Sequence, residues 1–114
     1  MTSGMPTIIY PVKDLSQAKT LYSKLVGVPP YVDEPYYVGF RVGDQELGLD
    51  PHGHSQGITG PVGYWEVDDI KQSLELLLGS GAETLQPVRD VGGGKLIATV
   101  KDADGNITGL MQSP

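Results

Sequence analysis

Cysteine is absent from the 114 residues, which removes disulfides, thiolate-held zinc, iron–sulfur clusters and thiol catalysis together. Basic side chains are scarce: 8 Lys and Arg stand against 14 Asp and Glu, a formal net charge of −6. Nucleic-acid binding is dominated by Lys and Arg, so that balance argues against such a partner. It permits a neutral or cationic small molecule, although its plainest effect is solubility. No apolar run nears the roughly 18 residues of a spanning helix, so no membrane partner is expected. Residues 1–5, Met-Thr-Ser-Gly-Met, have neither a basic stretch nor an apolar one. No secretion signal is therefore read there, and a cytoplasmic protein is expected.

What is present suits one folded domain. Apolar residues make up 39% of the chain and charged ones 19%, with a mean hydropathy of −0.16, so neither disorder nor a membrane interior fits. Glycine (16) and proline (9) are plentiful, which predicts short elements joined by tight turns.

The chain also repeats itself. Val12, Asp14 and Gln17 recur 55 residues later as Val67, Asp69 and Gln72. Each copy reads as an apolar strand followed by a capping box, with Asp14 or Asp69 on the first free amides and Gln17 or Gln72 reaching back. Apolar residues follow at helical spacing, Leu15, Ala18, Leu21, Tyr22 and Leu25 in one copy and Ile70, Leu74, Leu77 and Leu78 in the other. Gly27 and Gly81 stand where these helices should stop. Three strands are expected after each helix. They are Tyr31–Glu34, Tyr36–Val42 and Gln45–Asp50, then Thr84–Val91, Lys95–Lys101 and Ile107–Gln112. The reading is a single domain over residues 1–114: a first module of about 6–50, a linker of about 51–61 and a second module of about 62–112. A 55-residue unit buries its own helix and sheet poorly, so the copies should share a core.

The Val12-Lys-Asp-Leu15 passage, the Asp102-Ala-Asp-Gly-Asn106 turn and the duplication together resemble the vicinal oxygen chelate superfamily of glyoxalases, extradiol dioxygenases and bleomycin-resistance proteins. The resemblance covers Thr7 to Gln112, with Ala103 where the family's turn usually has proline. It implies an α+β fold in which two tandem βαβββ modules form a curled mixed sheet, with a concave cleft and helices on the convex side. It also implies metal ligands at Thr7 and Val62 in the first strands and at Gly48 and Gly109 in the last ones. These residues offer almost no donors, and a chelate site needs three or four at about 2.0–2.5 Å. No metal and no cofactor are expected.

Other motifs carry less. His52-Gly-His54, with Glu46 and Asp50 upstream, reads as a relocated metal site, an acid–base pair or a solvent-exposed loop. Gly92-Gly-Gly-Lys95 lacks the remaining residues of a phosphate loop and reads as a hairpin turn. The Asp102 turn lacks the further oxygen ligands of a calcium loop.

Strand alternation predicts which side chains share a face. Thr7, Ile9, Tyr37, Arg41, Glu46, Asp50, Val62, Tyr64, Glu66, Ile107 and Met111 are expected in the cleft as ligand-binding residues. Val38, Phe40, Val42, Leu47, Leu49 and Trp65 should turn to the core. Three function classes follow. The first is a metal-free protein that binds a hydrophobic or cationic compound in an aromatic cleft. The second is a metal-independent enzyme that moves protons through Tyr37, Tyr64, Glu66, His52 or His54. The third is a lyase, isomerase or dioxygenase with its metal at Glu46, Asp50, His52 and His54. A homodimer is expected, because the sheet edges and the cleft of so small a chain need cover.

Overall fold

Two aspartates start the two helices. Asp14 Oδ1 accepts from the Gln17 amide at 3.0 Å and Asp69 Oδ1 from the Gln72 amide at 3.1 Å, so each satisfies one of the free donors of a first turn. In the computed structural model, which describes residues 2–114, these caps open α1 (Leu15–Val26) and α2 (Ile70–Gly79). The strands are β1 (Thr2–Pro11), β2 (Val32–Glu34), β3 (Tyr37–Val42), β4 (Gln45–Asp50), β5 (Val62–Val67), β6 (Glu83–Asp90), β7 (Leu96–Lys101) and β8 (Ile107–Gln112). Gly27 ends α1 at φ 77°, a conformation that glycine adopts without a Cβ penalty. The second helix runs to Gly79 with Ser80 as its cap; Gly81 follows at φ 106°, its amide donating to the Leu78 carbonyl at 3.3 Å and the Ala82 amide to the Leu77 carbonyl at 3.1 Å, so a glycine just past the cap stops this helix as expected.

The chain divides into two compact units. One is Pro6–Val62; the other is Gly63–Pro114 together with the described residues 2–5. In the first unit the strand order is β2-β3-β4-β1, with β1 parallel to β4 and the other pairs antiparallel. In the second unit it is β5-β8-β7-β6, with β5 parallel to β8 and the rest antiparallel. The mixed α+β fold of two tandem βαβββ modules is therefore observed. Residues 51–61, expected as a linker, fold with the first unit around a 3-10 turn at His54–Gln56 and a buried Ile58.

Each helix covers one face of its own strands. Under α1, Val38, Phe40 and Leu49 are buried against Tyr10, Val12, Leu15, Ala18, Tyr22, Val26 and Leu47, and Tyr10 meets Tyr22 edge to face at 5.3 Å between ring centroids. Under α2, Val67, Ile70, Ala98 and Leu110 are buried against Leu74, Leu77, Val88 and Leu96.

Several core expectations need correction. Leu21 and Leu25 are 60% and 74% exposed, because the face of α1 that packs runs through Leu15, Ala18, Tyr22 and Val26 instead. Leu78 faces outward on α2 in the same way. Val42, at the end of β3, is exposed beside the Gly43 turn. Trp65 pairs with Leu110 and so lies on the helix side of β5. It is nonetheless 38% exposed, since the side chains packed with α2 begin at Val67.

Candidate functional site

The face of the first unit that α1 leaves open is organised by register. Glu46 lies between Thr7 of β1 and Arg41 of β3, and Gly48 lies between Ile9 and Gly39. Their strand neighbours Leu47, Leu49, Val38 and Phe40 pack with α1, so alternation turns Thr7, Ile9, Tyr37, Gly39, Arg41, Glu46, Gly48 and Asp50 to the opposite side. Sequence alternation thus placed these side chains on one face.

Glu46 is the centre of this face. Its side chain is 8% exposed, and a buried carboxylate stands only where donors replace water. Three do so here. Tyr31 Oη donates to Oε1 and Tyr37 Oη to Oε2, each at 2.5 Å, and Arg41 Nη2 donates to Oε1 at 3.3 Å. Arg41 Nη2 also donates to Tyr31 Oη at 3.3 Å, with the guanidinium carbon 4.9 Å from the centroid of the Tyr31 ring. Burial raises the Tyr31 hydroxyl above its ordinary value, and donation to the Glu46 carboxylate adds to the rise.

The rings can lie on the sheet because the sheet has glycines beneath them. A Cβ built at Gly48 would stand 2.7 Å from Tyr37 Cε1, far inside van der Waals contact. One at Gly39 would meet Tyr37 Cε2 at 3.0 Å and Tyr31 Cε1 at 3.2 Å. Tyr31 was not among the expected site residues: the sequence reading began a strand at Tyr31 and assigned that strand no face, whereas β2 begins at Val32. The place of Tyr31 is set by its own amide, which donates to the Gly39 carbonyl at 2.9 Å. Two glycines at matching positions of neighbouring strands were the available signal.

The second unit repeats the device with other partners. Tyr64 pairs with Gly109 across β5 and β8, and a Cβ at Gly109 would stand 2.6 Å from Tyr64 Cγ. Tyr64 is only 6% exposed, its ring lying against Gly109. Met111 is buried as well and Ile107 half-buried, while Val62, the last residue of the first unit, is also buried. Glu66 pairs with Met111 along the same strands; its carboxylate accepts from Ser113 Oγ at 2.6 Å and from the Ser113 amide at 3.2 Å.

The loop histidines do not join either group. Asp50 turns its carboxylate to the His52 amide at 2.8 Å, an Asx turn that leads the chain out of β4. His52 is exposed and His54 half-buried, and neither imidazole forms a hydrogen bond with another described residue. Among the described residues no three of His, Asp and Glu gather in a way that could hold a metal ion. The relocated site at Glu46, Asp50, His52 and His54 is therefore not formed: Glu46 is enclosed by phenols and Asp50 is committed to the loop.

The positions at which the resemblance places ligands fare no better. Gly48, Gly109 and Val62 carry no donor and Thr7 a single hydroxyl, while tyrosine rings fill the space that side chains at 48 and 109 would need. The residues present do not fit a chelated metal. Gly92-Gly-Gly-Lys95 closes the β6–β7 hairpin through Val91 and Lys95, as expected of a turn.

No protein-family model matches the chain, and no curated protein matches its sequence. Solved structures do. A glyoxalase/bleomycin resistance protein/dioxygenase superfamily member from Vibrio splendidus superposes with a TM-score of 0.69 at 13% identity, covering 94% of this chain and 97% of that one. Methylmalonyl-CoA epimerase from Mycobacterium tuberculosis gives 0.71 at 17% identity, with 99% and 90% covered. A Legionella pneumophila protein described as an NAD-dependent benzaldehyde dehydrogenase gives 0.74 at 14%, with 95% and 98% covered. Identities this low speak for the fold alone. The duplicated βαβββ sequence and these superpositions agree: the chain has the fold of the glyoxalase/bleomycin-resistance/dioxygenase proteins, the vicinal oxygen chelate superfamily.

Proposed function

We propose that the protein binds a small molecule on the open face of its first unit, without a metal, after the manner of the bleomycin-resistance type rather than the enzymes that share its fold. The observation that carries this reading is the Glu46 cluster. Both oxygens of the Glu46 carboxylate already accept from side chains of this face, which commits Glu46 to holding its neighbours in place rather than to receiving a substrate's proton. Tyr31, raised above its usual value and already donating to Glu46, is a poor proton donor. The group is built to be rigid and to present aromatic and guanidinium surface, which suits binding better than proton transfer.

The ligand has an apolar, planar part that meets the tyrosines. A cationic group finds less support here than the sequence suggested, because Arg41 and two phenols already answer the Glu46 charge. The alternative is a glyoxalase-like enzyme with Tyr31 in a proton-transfer role, favoured by the half-exposed position of that ring. A thermal-shift screen of aromatic compounds in the presence of chelator tests the two. Binding is expected to raise the melting temperature of the wild type and to be lost in Tyr31→Ala and Tyr37→Ala. Hits that depend on added metal, or that persist in both variants, would reject the reading.

A further inference from the structure

Thr7 stands beside Glu46 across β1 and β4 and faces the same side of the sheet. It is only 5% exposed. Its hydroxyl is nevertheless not among the donors to Glu46, and it forms no hydrogen bond with any other described residue. Every fully enclosed side-chain nitrogen and oxygen among the described residues has a partner, so the Thr7 oxygen is not sealed off and still meets solvent. An O–H that is nearly buried and has no acceptor is costly to keep, and valine would fill the same place in a strand without that cost. The two phenols of this face, by contrast, are spent on Glu46.

Charge decides what kind of acceptor can answer this hydroxyl. Arg41 and Glu46 balance each other as an ion pair. Asp50, on the same face, has one oxygen on the His52 amide and no ion pair among the described residues. A further anion would be repelled there, whereas a neutral carbonyl oxygen would not. Next along the strands from Thr7 and Glu46 come Ile9, half-buried, and Gly48, over which the Tyr37 ring lies. They form an apolar bed for a ring attached to such a carbonyl.

We infer that the site takes a neutral aromatic carbonyl compound, its oxygen accepting from Thr7 Oγ1 and its ring against Ile9 and Tyr37. The inference rests on the small-molecule reading above and gives it a ligand class and a residue that selects it.

The experiment titrates four probes into the full chain and follows amide resonances: acetophenone, α-methylstyrene (a CH2 in place of the ketone oxygen), benzoate and benzylammonium. Acetophenone should bind more tightly than either charged probe. Thr7→Val, which keeps the shape and removes the hydroxyl, should weaken acetophenone roughly fivefold, the net worth of one hydrogen bond, and leave α-methylstyrene unchanged. Thr7→Ser should keep most of the acetophenone affinity. Thr20→Val, on the exposed surface of α1, should change neither and supplies the control. Thr7→Val should also melt no lower than the wild type, since the hydroxyl holds nothing within the fold. Equal effects of Thr7→Val on acetophenone and α-methylstyrene, or a lower melting temperature for that variant, would overturn the carbonyl inference and leave small-molecule binding standing. Tightest binding of benzoate or benzylammonium would do the same in favour of a charged ligand. Failure of all four probes to perturb this face would overturn both.

Discussion

Glu46 is the buried carboxylate of this face, and two phenols and a guanidinium donate to it. Glu46→Ala leaves two phenols and a guanidinium facing an apolar hole, so we expect it to lower unfolding free energy by about 1–3 kcal/mol. Glu46→Gln, which keeps one acceptor oxygen, should lower it less; urea melts at neutral pH check both. Tyr31 adds a dependence on pH. Its hydroxyl is raised above 10.0 in the fold, by burial first and the Glu46 bond second. The stability this contributes is complete below the ordinary tyrosine value and is lost as pH rises through the raised one. Denaturant midpoints measured from pH 8 to 11 should therefore fall on the alkaline limb, and less steeply in Tyr31→Phe. The remainder belongs to Tyr22, which burial also raises.

The two helices show how local rules and packing divide the work. Their starts follow from three residues each, and Asp14→Ala and Asp69→Ala should each lower stability by about 1 kcal/mol, the usual contribution of a lost N-cap, read in thermal or urea melts. Their faces were less legible. A run such as Leu21-Tyr-Ser-Lys-Leu25 contains more apolar side chains than one face can hold, and only the neighbouring strands decide which turn inward. Strand faces were easier, since a period of two leaves two choices and β4 could be read from Glu46, Gly48 and Asp50 against Leu47 and Leu49. Exposure along a strand was harder: Trp65 stands on the expected side of β5 but beyond the side chains that α2 covers. Trp65→Ala should therefore change stability much less than the roughly 3–5 kcal/mol of a buried aromatic, whereas Ile70→Ala, at 1% exposure, should lower it by about 2–5 kcal/mol.

For the molecule as a whole, the duplication made the order of elements readable in the sequence, because each copy repeats a strand, a capped helix and three strands, while the arrangement of the modules followed from the family resemblance. The site was only half readable. Tyr37, Arg41 and Glu46 followed from alternation, but the cluster closes through Tyr31, brought in by a backbone hydrogen bond that no pattern encodes. The expected homodimer remains a proposal, motivated by the edge strands β2 and β6 and by exposed Leu25 and Leu76. Light scattering should give about twice the 12.2 kDa chain mass, and a monomer at micromolar concentration would remove the claim. No helix among the described residues is long and apolar enough to cross a membrane. The central claim is that the open face of the first unit binds a small molecule with no metal. It is tested most directly by mapping amide resonance shifts on chelator-treated protein as a panel of aromatic compounds is added. The account predicts saturable shifts at Tyr31, Gly39, Arg41, Glu46 and Gly48 that are unchanged by added zinc, nickel or manganese. Shifts that appear only after metal is restored, or that leave these five residues untouched, would contradict it.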